Sequence, residues 1–143
     1  MYAQAGLSPG LSAIEVAAPR GRTPYLLREY LDDDLARDAS TPAVWRLDLQ
    51  IDQTRIALGL TANDVAERYQ LGVRVRYSLV ELATGRIATS GAVASEVSYD
   101  TADPPYAGIA ARQDGQRRAA EDAARRIQLA LSTWLYRHHD GSP

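Results

Sequence analysis

The chain has no cysteine among its 143 residues. That excludes a disulfide framework and a thiolate metal site, and it leaves the redox compartment open. Lysine is absent as well, because all 16 basic residues are arginine. A compositional bias accounts for this economically, although the planar fork of arginine also suits bidentate recognition of phosphate. No run approaches the ~20 consecutive apolar residues that a membrane-spanning helix needs. The opening MYAQAGLSPG has neither the charged start nor the apolar stretch of a signal peptide. The expectation is a soluble chain, with room for an export signal that was removed and replaced by Met1. A net charge of -2 and a pI near 5.6 argue against a nucleic-acid binder, whose footprint is a strongly basic surface.

Catalytic signals are equally scarce. No G-x-G-x-x-G or G-x-x-x-x-G-K-[ST] occurs, and LATGR and YAG hold too little glycine to cradle a phosphate. The only histidines, His138 and His139, are adjacent at the end of a helix, where consecutive side chains diverge and make a poor chelate. Interaction with the helix terminus is the better expectation for them. The three carboxylates Asp32, Asp33 and Asp34 splay around a helix and read as a solvated charge run rather than a cation site. The convergent acid, base or nucleophile that an enzyme of this size displays is missing. Neither enzymatic activity, nor a metal, nor a cofactor is expected.

What the sequence does have is period. Three segments alternate apolar and polar residues. WRLDLQID sets Trp45, Leu47, Leu49 and Ile51 against Arg46, Asp48, Gln50 and Asp52. YQLGVRVRYSL sets Tyr69, Leu71, Val73, Val75, Tyr77 and Leu79 against Gln70, Arg74, Arg76 and Ser78. RIATSGAVASEVSY sets Ile87, Val93, Val97 and Tyr99 against Ala88, Ser90, Ala92, Glu96 and Ser98. Such patterning predicts strands with one buried face. The short ATGR connector makes the second and third a hairpin. The longer connector, from about Ile56 to Glu67, carries Leu58 and Leu60, apolar residues that a mere turn would not need.

Two helices flank these strands. Thr23 is placed to cap the first, with Pro24 at its first position, and Leu27, Tyr30, Leu31 and Leu35 share one face as far as about Asp38. The second runs from about Gly108 to Arg137, with Ala120, Ala123, Ile127, Ala130, Leu131, Trp134 and Leu135 as its stripe. Pairs Glu121–Arg125 and Asp122–Arg126, four apart, add roughly 0.2–0.5 kcal/mol each. A short strand within LSAIEVAAP, ended by Pro19, precedes everything and suits a sheet edge.

The expected fold is α+β: a two-layer sandwich with two helices on one face of a four-stranded mixed sheet, in the order β-α-β-β-β-α. The first strand, helix and second strand should form a right-handed crossover. Residues 1–10 read as a flexible tail, 11–138 as one domain and 139–143 as a second tail. The uncovered sheet face then carries Arg46, Asp48, Asp52, Arg74, Arg76 and Glu96. Two readings of its arginines stay open. They pair across strands with Asp48, Asp52 or Glu96, or they meet an anionic amphiphile or a partner's wall, with Leu58 and Leu60 on apolar surface.

The series IEVAAPRGRTPYLLREYLDDDL, WRLDLQI, ERYQLGVRVRYSLVELATGRIATSG and SEVSYDTADPPYAGIAARQDGQRRAAEDAARRIQLAL resembles the lipopolysaccharide-assembly lipoprotein family LptE in its alphaproteobacterial form, from Leu11 to Tyr136. The most specific parts are the Thr84–Gly85 hairpin, SYD followed by YA, and the RRAAEDAARRI helix. The resemblance implies a non-enzymatic periplasmic domain held at the outer membrane by an N-terminal lipid, whose cysteine this chain does not contain. It implies a one-to-one plug inside the β-barrel partner LptD, which it stabilises, and lipopolysaccharide binding during delivery to the outer leaflet. Arg112 occupies the place of a basic residue implicated in lipid contact just before the last helix. A second basic place, in the loop before YQLGV, is filled by Ala62 or Asn63, with Arg68 as its substitute. The expected lipid-binding residues are Arg112, Arg68 and Arg55, then Arg74 and Arg76, and the expected partner contacts are Leu58 and Leu60. The competing readings are an auxiliary lipoprotein subunit of a lipid or solvent ABC-type transporter, assembling into a ring, and a small hydrolase.

Overall fold

The structure is a computed structural model. It describes residues 10–60, 66–102 and 105–141, with side chains over 10–59, 68–101 and 109–137. A single 3-10 turn, Leu11–Ala13, leads into β1 (Ile14–Ala17), α1 (Arg22–Asp34), β2 (Trp45–Leu60), β3 (Ala66–Glu81), β4 (Ile87–Ala102) and α2 (Pro105–Gly141). The sheet order is β1-β2-β3-β4. β1 runs parallel to β2 with Ile14 opposite Trp45, and the other pairs are antiparallel. This is the expected α+β sandwich with a mixed four-stranded sheet.

Period two decides which side chains meet the helices. Leu47, Leu49, Leu71, Val73, Val75 and Leu79 are all buried, while their even-numbered neighbours lie on the uncovered face. Leu27 and Leu31 of α1 and Ile127 and Leu131 of α2 close the core from above at no more than 1% exposure. Burying each contributes about 1.5–3 kcal/mol. The α2 stripe is rich in alanine: Ala119, Ala120, Ala123 and Ala124 are fully buried, so the helix backbone can approach the sheet closely. At the opposite end from the β2–β3 connection, Trp45 meets Trp134 edge-on, with centroids 6.3 Å apart at 84°.

Several local expectations are corrected. Thr23 does not cap α1. The helix begins at Arg22 behind Gly21, with no side-chain cap, and the Thr23 hydroxyl is buried and donates to Gln53 Oε1 at 2.5 Å. α1 ends at Asp34, inside the expected limit of about Asp38, with Ala36 at φ 53° beyond it. Ile87 does not join the core. The β3–β4 register shifts between Leu79 and Val80, so Leu79 faces Thr89 and Val80 faces Ile87. The extra residue, Ala88, turns Ile87 outward to 63% exposure. On α2, Asp122 pairs with Arg126 as expected, at 2.8 Å, whereas Glu121 lies 3.9 Å from Arg117. α2 itself starts earlier and ends later than its apolar stripe suggests.

Gly91 sits opposite Tyr77 beneath its ring, and a Cβ there would come within 2.6 Å of the Tyr77 hydroxyl and 2.8 Å of the ring carbon that carries it. Tyr77 is 8% exposed and has little room to yield. Gly91→Ala is expected to lower stability by about 1–3 kcal/mol through overpacking, read as a lower urea midpoint with an unchanged slope. An unchanged midpoint would mean that the ring moves aside freely.

Candidate functional site

Lengths place the site. The 37 residues of α2 span about 55 Å at helical rise, and the 16-residue strands β2, β3 and β4 span roughly 50 Å. α2 therefore accompanies the long hairpin along most of its length. α1, with 13 residues, reaches only about 20 Å. Its first turn is fixed where Thr23 bonds Gln53 and where Arg22 Nε donates to Gln116 Oε1 at 3.1 Å. Beyond that collar β2 continues with no helix above it, and residues 52–59 are exposed on both faces. The region read from sequence as a long connector is thus mostly strand. Leu58, 51% exposed, and Ile56, 54% exposed, stand on this projecting end. The side chain of Leu60, and Ala62 and Asn63, lie outside the described residues.

The five candidate arginines do not form one cluster. Arg55 is on the helix side, its guanidinium 4.7 Å from the centroid of the Tyr69 ring. Tyr69 stacks on Tyr99 at 5.7 Å. Gly115 of α2 lies against Tyr99, where an added Cβ would come within 3.0 Å. Arg112 is exposed one helical turn before Gly115. Arg55, Tyr69, Tyr99 and Gly115 therefore form a row across the helix side of β2, β3 and β4 to α2, with Arg112 one turn beyond, an arrangement that needs strand register and is invisible in linear sequence. The Tyr99 hydroxyl at its base is buried with no hydrogen-bond partner among the described residues.

Arg68, Arg74 and Arg76 are on the opposite, uncovered face. Arg68 Nε lies 2.9 Å from Asp100 Oδ1. That bond and the paired charge hold the Asp100 carboxyl below its ordinary value and raise Arg68 above its own. Arg76 is 4.0 Å from Asp52, and Asp48 is taken by Arg46 at 2.7 Å. Arg74 stands opposite Asp52 and Ala94 in register and makes no ion pair among the described residues. Cross-strand pairing is therefore close for Arg68, reaches only 4.0 Å for the exposed Arg76, and is absent for Arg74 and Arg55 among the described residues.

Among the described residues no group of three or more His, Asp or Glu side chains is placed to hold a metal ion, and none of the helices is long and apolar enough to cross a membrane. The side chains of His138 and His139 lie outside the described residues. Asp33 and Asp34 are exposed and Asp32 half-buried, and partial burial raises the Asp32 and Asp34 carboxyls above their ordinary value.

The class so defined is an α+β sandwich module with an extended hairpin end, arginine-bearing on both faces. The chain belongs to the lipopolysaccharide-assembly family LptE, whose model matches residues 11–131. Membership carries a role in lipopolysaccharide transport and outer-membrane assembly, and an envelope location in Gram-negative bacteria. A candidate lipoprotein of Caulobacter crescentus CB15 is 44% identical, with a TM-score of 0.80 over 93% of this chain and 98% of that one. The minor lipoprotein of Acinetobacter baumannii, 16% identical, shares the fold at a TM-score of 0.55 over 84% and 90% of the two chains. Rare lipoprotein B of Shewanella oneidensis, 20% identical, does so at 0.50 over 88% and 97%. Curated proteins yield no match.

Proposed function

We propose that this domain plugs the LptD β-barrel one-to-one and binds lipopolysaccharide during its transfer to the outer leaflet, acting without catalysis. In the native protein an N-terminal lipid holds it on the periplasmic side of the outer membrane. The observation that carries the reading is the projecting β2–β3 end: uncovered by α1, apolar at Ile56 and Leu58, with Arg55 and Arg112 free of carboxylate partners among the described residues. Lipopolysaccharide presents phosphates and sugar hydroxyls beside acyl chains. The unpaired Arg55 guanidinium over the Tyr69 ring, the unpaired Arg112 on α2 and the exposed Ile56 and Leu58 of the same projecting end match both parts. Arg68, held by Asp100, is a weaker contributor than its place in the sequence implied, and Arg74 and Arg76 stay candidates on the other face.

The test is co-expression with the LptD of the same bacterium and size-exclusion chromatography in detergent. A stable one-to-one complex is expected. A folded barrel that elutes alone, with this domain in a defined homo-oligomer, would overturn the plug reading and favour a ring-forming transporter subunit.

A further inference from the structure

β4 is the outer strand of the sheet along its whole length. Unpaired strand margins are templates for further strands unless something protects them. On the opposite side the four-residue edge strand β1 covers β2 as far as Asp48, and the longer free margin there is β2 beyond it. It carries such protection: Asp52, Arg55, a register shift between Ala57 and Gly59, and Gly59 at φ 110°. β4 has no proline and no basic residue, and its register is unbroken from Thr89 to Ala102.

The ladder dictates which backbone groups this margin offers. Arg118 Nη2 donates to the Ser98 carbonyl at 3.1 Å, so that carbonyl points away from β3. In an antiparallel ladder a residue turned outward presents both its N–H and its C=O, and the pattern repeats at every second residue. Ser90, Ala92, Ala94 and Glu96 are therefore the outward residues. The bond from Glu81 N–H to the Arg86 carbonyl, 2.8 Å, sets the same phase from the hairpin end once the extra Ala88 is counted. On α2, residues 118, 122, 126, 129, 133 and 136 recur on one flank, the side from which Arg118 reaches β4. Leu129 on it, 58% exposed, follows the Asp122–Arg126 pair along the open margin.

We infer that β4 accepts an added strand over residues 90–96. It is an extended segment of the barrel partner, with an apolar side chain toward Leu129 and a basic residue opposite Glu96, which has no ion pair among the described residues. Arg118, held by Asp114 at 2.9 Å, closes the upper end by occupying the Ser98 carbonyl. The inference rests on the plug reading. Strands of a closed barrel already pair with one another, so the occupant is a loop or terminal segment of that partner. A second copy is a poor fit, since so short a strip buries far less than the ~800 Å² per partner of a stable interface.

The experiment is hydrogen exchange on the wild-type domain, alone and in the co-purified LptD complex, together with Ala92→Pro and Ala94→Pro. Proline is tolerated where the N–H faces away from the ladder, so both variants are expected to melt like the parent. In the complex the amides of Ala92, Ala94 and Glu96 are expected to exchange at least about tenfold more slowly, and each proline variant to bind about tenfold or more weakly, the scale of one well-made bond. A complex that forms with these amides unprotected, or with the prolines binding as wild type, overturns the added strand and leaves the plug standing. Absence of any wild-type complex overturns both. Protection in the domain alone, at twice the monomer mass, overturns the barrel segment in favour of a second copy.

Discussion

Trp45→Ala is expected to remove about 3–5 kcal/mol of folding stability, the range for deleting a buried aromatic side chain. Trp45 starts β2, pairs with Ile14 on one side and Glu81 on the other, and is 8% exposed. Its ring is the edge or face partner of Trp134 near the far end of α2, so it joins three strands to the last turns of the long helix. Truncation leaves a cavity that Trp134 cannot fill, because its own backbone is held by Leu131 and the alanine stripe below it. An aromatic pair of this geometry adds about 0.5–1.5 kcal/mol beyond area burial. Trp45→Phe is accordingly expected to keep most of the stability. Since the chain has only two tryptophans, urea unfolding of Trp45→Ala can be followed by the fluorescence of Trp134 alone. A loss below about 1 kcal/mol would mean that this end of the sandwich is loosely packed and that the anchor lies nearer Ile127.

How much of this was readable in advance depended on whether one face stayed dry. Leu47, Leu71, Val73 and Val75 alternate with polar residues because a helix covers one side of them, and their burial follows from the sequence. The stretch from Ile56 to Leu60 loses that alternation although it is strand, because neither face is covered there and nothing imposes the pattern. It reads as a connector for that reason. Thr23 looks like a cap because a hydroxyl before proline usually is one; its true partner, Gln53, is thirty residues away and on another element. Ile87 fits the alternation by counting, but one extra residue at Ala88 reverses its face. The basic residues were individually visible. Their division into a neutralised set and an unpaired set was not, since it depends on cross-strand register: Arg68 falls opposite Asp100 and Arg74 opposite Ala94.

That division makes the second large effect specific. The double variant Arg55→Glu with Arg112→Glu is expected to weaken lipopolysaccharide binding on the order of 100-fold or more. Each charge-assisted bond to phosphate contributes about 1.5–3 kcal/mol, and reversal adds repulsion to the loss. Folding should be nearly untouched, because both side chains are exposed and the one packing interaction lost is Arg55 over Tyr69, about 0.5–1 kcal/mol at an exposed site. Arg86→Glu, at the opposite end of the long hairpin, serves as the control for a single charge reversal away from the site and should leave binding unchanged. Rising salt should weaken the parent and the control in parallel, since exposed charges are screened beyond about 10 Å at 0.1 M. Retention of lipopolysaccharide from mixed detergent micelles gives the binding, and circular-dichroism melting shows that the fold persists. If the double variant binds like the parent while Arg74→Glu does not, the lipid site belongs to the uncovered sheet face. The aromatic margin at Tyr69 and Tyr99 would then be a packing feature of the plug.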